Sequence, residues 1–132
     1  MTQRFGIDTS ILVRLATGDP ENLYDHCVER LTALIESEGA EVFASNQVIG
    51  EAYIALQHHY GVTKAEAREG LASLLQSGLV TPQNGRAVIE VLGEQGGCGL
   101  LDRLIADDYR RADLLALTLD RKMAKLADAR LL

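Results

Sequence analysis

Arg4-Phe5-Gly6-Ile7-Asp8-Thr9-Ser10-Ile11-Leu12-Val13-Arg14 reads as a short apolar strand that runs into Asp8 and turns at once into a helix. A carboxylate at that turn stands at the carboxyl end of a strand, where open α/β sheets place their ligand crevices. A helix cap explains Asp8 equally well. The weight of the position therefore depends on what the rest of the chain sets beside it.

Outward from this stretch, strands and helices alternate. Ser10 to Ala16 begins a helix that stops near Gly18, and Asp19-Pro20 starts another with Asp as N-cap and Pro at the first helical position. Leu23, Cys27, Leu31, Leu34 and Ile35 carry that helix to Gly39 at helical spacing. Glu41–Ala44 is a second strand. Ser45 or Asn46 caps a helix from Gln47 to about Tyr60, which Gly61 ends. Thr63-Lys64-Ala65-Glu66 is a capping box, and its helix carries Ala67, Leu71, Leu74 and Leu75 on one face as far as Gly78. A brief strand at Leu79-Val80 is expected next, then a helix opened by Thr81-Pro82 through Val88, Val91 and Leu92. Gly93 to Gly99 lacks the lysine and hydroxyl of a phosphate loop and reads as a connection between helices. Leu100 to Arg111 is a helix with Leu101, Leu104, Ile105 and Tyr109 inward. Leu114 to Leu119, apolar throughout, suits a strand covered on both faces of a parallel sheet. A short helix over Asp120 to Leu126 and a last strand from Ala129 to Leu132 complete an α/β pattern.

The 132 residues fit one domain, 1–132, with room for a real core. A formal net charge of −6 argues against a general polyanion binder and leaves room only for a local basic patch. Cys27 and Cys98 lack metal-ligand spacing, so two reduced cysteines are expected. The first residues show no signal-peptide core, and no apolar run approaches the roughly 20 residues of a membrane span. The expectation is a soluble, cytoplasmic protein without membrane association.

Four acids mark turning points: Asp8 ends the first strand, Glu51 interrupts an otherwise nearly apolar helix, Asp102 lies in the first turn of its helix, and Asp120 follows the most apolar strand. Singly, each has an ordinary explanation as a cap, a dipole partner or a solvated charge. Jointly they mark one edge of a parallel sheet, where strand ends and helix starts can converge.

These motifs resemble the PIN-domain ribonucleases, and in particular the VapC-type toxins of bacterial toxin–antitoxin pairs. Asp8-Thr9-Ser10-Ile11-Leu12 is similar to the first motif of that family, and Glu51 with the stretch down to His58-His59-Tyr60-Gly61 to its second. Leu101-Asp102-Arg103-Leu104-Ile105-Ala106 resembles the third motif, and Thr118-Leu119-Asp120-Arg121-Lys122-Met123-Ala124-Lys125-Leu126 the ending. The resemblance implies a three-layer α/β/α sandwich around a short, mainly parallel sheet, and hydrolysis of RNA phosphodiesters dependent on Mg²⁺ or Mn²⁺. It implies Asp8, Glu51, Asp102 and Asp120 as the catalytic acids, with Asp8 and Asp102 as direct metal ligands. Ser10 and Thr118 would orient the carboxylates or their water. A cognate antitoxin protein and a homodimer are further implications. One departure stands out: where members often carry another acid a turn before the third-motif Asp, this chain has Gly99, so a second metal is not expected.

The residue types agree with that chemistry. Clustered carboxylates repel unless a cation neutralises them, and Mg²⁺ prefers oxygen ligands. An acidic pocket repels RNA, so phosphate contacts must come from basic residues beside the motifs: Arg14, Arg103, Arg121, Lys122 and Lys125. His26, His58 and His59 have no partner spacing that suggests catalysis. A competing reading is a non-catalytic binding module of the same fold. Phosphoryl chemistry on an aspartate ranks lower, because Asp8-Thr9-Ser10 supplies neither a second acid nor a DxD pair.

Overall fold

The computed structural model describes residues 2–132. Arg4–Gly6 forms strand β1, and Asp8, in extended conformation, caps helix α1 (Thr9–Thr17). Gly18 closes α1 at φ 68, a left-handed conformation that other residues adopt at a cost. Helix α2 (Glu21–Glu38) follows, and then strand β2 (Glu41–Ala44). Ser45 accepts from the Val48 amide at the head of helix α3 (Asn46–Tyr60). Helix α4 (Lys64–Leu74) starts at the capping box, with both reciprocal bonds formed between Thr63 and Glu66.

Strands β1, β2 and β3 (Thr81–Pro82) make a parallel sheet in the order β1-β2-β3, with Arg4 opposite Glu41 and Ala44 opposite Pro82. Thr81-Pro82 thus ends a sheet instead of opening a helix. Proline has no N–H to donate, and an edge strand is where a sheet tolerates that loss. Helix α5 (Ala87–Gly93) starts five residues later than the sequence suggests. The main core lies between this sheet and the helices, where Leu12, Ile49 and Leu71 are fully buried.

Helix α6 (Leu100–Arg111) has the expected bounds and a different inner face. Leu100, Leu104 and Asp107 point inward at spacings i, i+4 and i+7, while Leu101, Ile105 and Tyr109 are exposed. The last part of the chain departs furthest from expectation. Strand β4 (Ala116–Thr118) pairs in parallel with β5 (Ala129–Leu131), and among the described residues neither pairs with β1. A 3-10 turn at Met123–Lys125 stands where a short helix was expected. Leu114, Leu115, Leu117 and Leu119 are not covered: Leu117 is 61% and Leu119 80% exposed. Only a small cluster of Cys98, Ala106, Ala116 and Met123 anchors this unit. Fully burying a leucine is worth about 1.5–3 kcal/mol, most of which these side chains forgo. Among the described residues, no helix is long and apolar enough to cross a membrane.

Candidate active site

Asp8 stands two residues beyond β1, and its Oδ1 accepts bonds from the Ser10 hydroxyl at 2.6 Å and the Ile11 amide at 3.3 Å. The Ser10 hydroxyl above all, with the Ile11 amide, holds its carboxyl below the usual carboxylate range. Both bonds fall on one oxygen of an exposed side chain, so Asp8 is ionised and open to solvent even while it caps α1. Thr9 Oγ1 donates to Glu51 Oε1 at 2.9 Å, which ties the start of α1 to the middle of α3. Asp8 and Glu51 are therefore held as one pair by consecutive residues of a single turn.

Asp102 and Asp120 both lie within electrostatic reach of the buried Cys98 thiol. Burial pushes that thiol up, the nearby Arg103 guanidinium opposes the rise, and the charges of Asp102 and Asp120 add to it. Asp120 Oδ1 accepts from the amides of Lys122 at 2.8 Å and Met123 at 2.9 Å, capping the 3-10 turn. Thr118 Oγ1 accepts from the Asp120 amide at 2.9 Å and so orients the acid through its backbone.

Gly50 of α3 faces the leucines of α6. A Cβ there would meet Leu101 Cδ2 at 2.9 Å, so a side chain would force the Leu101 methyl aside next to Asp102. A groove of about 680 Å³ runs between these helices, with Glu51 on its wall beside Ile54, Ala55, Leu101 and Ile105.

The basic candidates divide. Arg103 is committed to the glycine-rich connection: it donates to the Cys98 carbonyl at 3.2 Å and the Gly96 carbonyl at 2.7 Å, and pairs with Glu94. Its side chain is only 10% exposed, which leaves little of it for a phosphate. Arg14 is half-buried one turn beyond Ser10, whereas Arg121, Lys122 and Lys125 are exposed beyond Asp120.

One polar cluster escaped the reading of the sequence. Asp107, 5% exposed, accepts from the side-chain amides of Asn46 and Asn84, each at 2.9 Å, and from Arg110 at 2.8 Å. Burial works to raise its pKa, yet the two amides and the guanidinium outweigh burial and lower it. The clue was available, since Asp107 continues the i, i+4, i+7 stripe of Leu100 and Leu104. Its bonds join α3, the segment after β3, and α6, which makes it a brace.

The donor set of Asp8, Glu51, Asp102 and Asp120 is all oxygen, which suits Mg²⁺ or Mn²⁺. Placement is a separate matter. Among the described residues, no three Asp, Glu, His or Cys side chains gather closely enough to hold one ion.

Residues 6–129 match the PIN domain family, a span that runs from the end of β1 into β5 and contains all four acids. A comparison with curated proteins finds no match.

Proposed function

We propose, from the premise that the chain belongs to the PIN domain family, whose members are generally nucleases, that it is a metal-dependent endoribonuclease acting as the cytoplasmic toxin of a toxin–antitoxin pair. The observation that carries this reading is Asp8: ionised, exposed, and coupled to Glu51 through Thr9 at the carboxyl end of β1. Asp8 and Asp102 are the proposed ligands of one Mg²⁺ or Mn²⁺, with Glu51 and Asp120 holding its waters. When bound, such an ion lowers the pKa of water and stabilises charge on the attacked phosphate. Ser10 keeps the Asp8 carboxylate ionised and fixed in direction. Thr9 does the same for the direction of Glu51, and Thr118 for the backbone of Asp120. Phosphate contacts fall to Arg14, Arg121, Lys122 and Lys125, since Arg103 is spent on its loop. With Gly99 in place of a further acid, one ion is the expected complement.

The groove between α3 and α6, apolar along Ile54 and Ile105 and acidic at Glu51 and Asp108, suits an antitoxin segment carrying apolar and basic residues. A homodimer is also part of this reading. The test is expression of the chain alone, with and without Asp8→Asn, followed by sequencing of total RNA for new 5′ ends. The expected result is cleavage and growth arrest from the unaltered chain only; cleavage by the variant at the unaltered rate would sink the assignment.

That no three metal-ligating side chains gather among the described residues favours one rival, a non-catalytic binding module. For that reading, growth arrest must be absent or indifferent to Asp8→Asn.

A further inference from the structure

The glycine-rich connection from Gly93 to Gly99 lines a second cavity, of about 630 Å³, which the proposed chemistry leaves unused. Helix α4 contributes Lys64, Arg68 and Glu69 to its lining, and α3 contributes the buried Tyr53. The volume falls in the range of about 300–1,000 Å³ that is usual for small-molecule sites. Missing side chains keep it open: a Cβ at Gly93, Gly96 or Gly99 would meet nothing within 4 Å.

The charges in the cavity favour an anion. Arg68 is braced, its guanidinium 5.9 Å from the Tyr53 ring centroid and its Nη1 donating to the Glu94 carbonyl at 2.7 Å. Its other N–H groups are left for a ligand. Lys64 is exposed and makes no ion pair among the described residues. Of the two lining carboxylates, Glu94 is paired with Arg103, and Glu69 is outnumbered by Lys64 and Arg68. On a chain of net charge −6 this is a local positive excess.

The loop adds donors. Its Glu94, Gly96 and Cys98 carbonyls already accept from Arg68 or Arg103. The amides of Gln95, Gly96, Gly97, Cys98 and Gly99, by contrast, donate to no backbone carbonyl among the described residues. Cys98 is only 5% exposed, and a buried N–H ordinarily has a partner. The cavity also adjoins the candidate acids. Gly99 stands three residues before Asp102, and the Cys98 thiol lies within electrostatic reach of Asp102 and Asp120.

We propose that the cavity between α4 and the glycine-rich loop holds one nucleotide of single-stranded RNA beside the scissile bond, its phosphate on Lys64 and Arg68 and its base edge on the loop amides. A loop rich in free donors, with most of its acceptors spent, selects a base edge that presents acceptors. Guanine, with O6 and N7, and uracil, with O4, meet that demand, whereas adenine and cytosine present an amine there. The choice of RNA rests on the nuclease reading; the choice of a nucleotide rests on the cavity alone.

The test titrates the full, isotopically labelled chain with each of the four ribonucleoside 5′-monophosphates and with inorganic phosphate, following the backbone amides. The guanosine and uridine nucleotides should shift Gln95 to Gly99 saturably, and bind about fivefold or more tighter than the other two. Lys64→Gln should weaken that binding about tenfold. Gly93→Leu, which fills the cavity from the last residue of α5, should abolish it. A silent loop, equal responses to all four nucleotides, or a response to inorganic phosphate as strong as to any nucleotide would overturn the proposal. In sequenced RNA ends, both variants should change the base preference next to the cut; preferences identical to those of the unaltered chain would overturn it as well. Selective nucleotide binding by a chain that cuts no RNA would instead refute the nuclease reading and uphold the nucleotide site.

Discussion

The body of the molecule and its C-terminal unit are built from the same kind of strand, short and parallel, yet they differ in what covers them. Around β1–β3, helices α1 to α6 bury Leu12, Ile49 and Leu71 completely. Around β4–β5, only the small cluster at Cys98, Ala106, Ala116 and Met123 provides anchorage, and a run of leucines stays in water. Each region contributes one acid from a strand end, Asp8 from the body and Asp120 from the unit. The lesson is that an apolar run shows the need for cover, and says nothing of which surface provides it.

The largest expected effect tests whether the two regions share a function. Asp8→Asn and Asp120→Asn should each lower RNA cleavage more than about 100-fold, since losing a site acid costs more than losing the partner that orients one. Asn caps helices as well as Asp does, so circular dichroism and Tm should change little for Asp8→Asn. A harmless Asp120→Asn would break the link between body and unit.

Stability comes next. Leu71→Ala should cost about 2–5 kcal/mol in urea unfolding, because its site is closed on every side. Leu117→Ala should cost less than about 0.5 kcal/mol, because its side chain is exposed. Equal costs would erase the contrast between the regions.

Asp107 probes the brace behind both. Asp107→Ala removes one acceptor from each of the Asn46 and Asn84 amides, which keep the Leu104 carbonyl and Asp108 Oδ1, and should cost about 1–3 kcal/mol at neutral pH. The folded pKa of Asp107 is lowered, so its contribution is complete above the ordinary carboxylate value of about 3.9 and is lost as pH falls through the folded value. Thermal unfolding between about pH 5 and pH 2 should therefore be flatter in the variant than in the unaltered chain. The smallest effect is expected at Ser10→Ala. Cleavage should fall about tenfold, and the acid limb of its pH profile should move upward as Asp8 loses its hydroxyl donor.

Much of the body was legible because its signals are local. Asp8, Ser45 and Thr63 cap the helices that follow them, and Gly18 and Gly61 end helices in the left-handed conformation. Bounds for β2 and α6 were recoverable from the same punctuation. What escaped depended on partners distant in sequence. Helical spacing cannot tell which face of α6 meets α5, so Leu101 and Ile105 were assigned inward and the buried place of Asp107 was not foreseen. The cover of β4 is a matter of tertiary pairing, invisible in Leu114 to Leu119. For the acids, identity and order were readable; their spacing in the fold, with no three ligating side chains gathered among the described residues, was not.

Whether the four acids serve one ion is tested most directly by titrating Mn²⁺ into isotopically labelled protein and following paramagnetic broadening of the backbone amides. If the four acids serve one site, the amides of Ser10, Ala52, Arg103 and Arg121 should broaden together, with one midpoint. Broadening confined to Ser10 and Ala52, or two separate midpoints, would contradict a shared site.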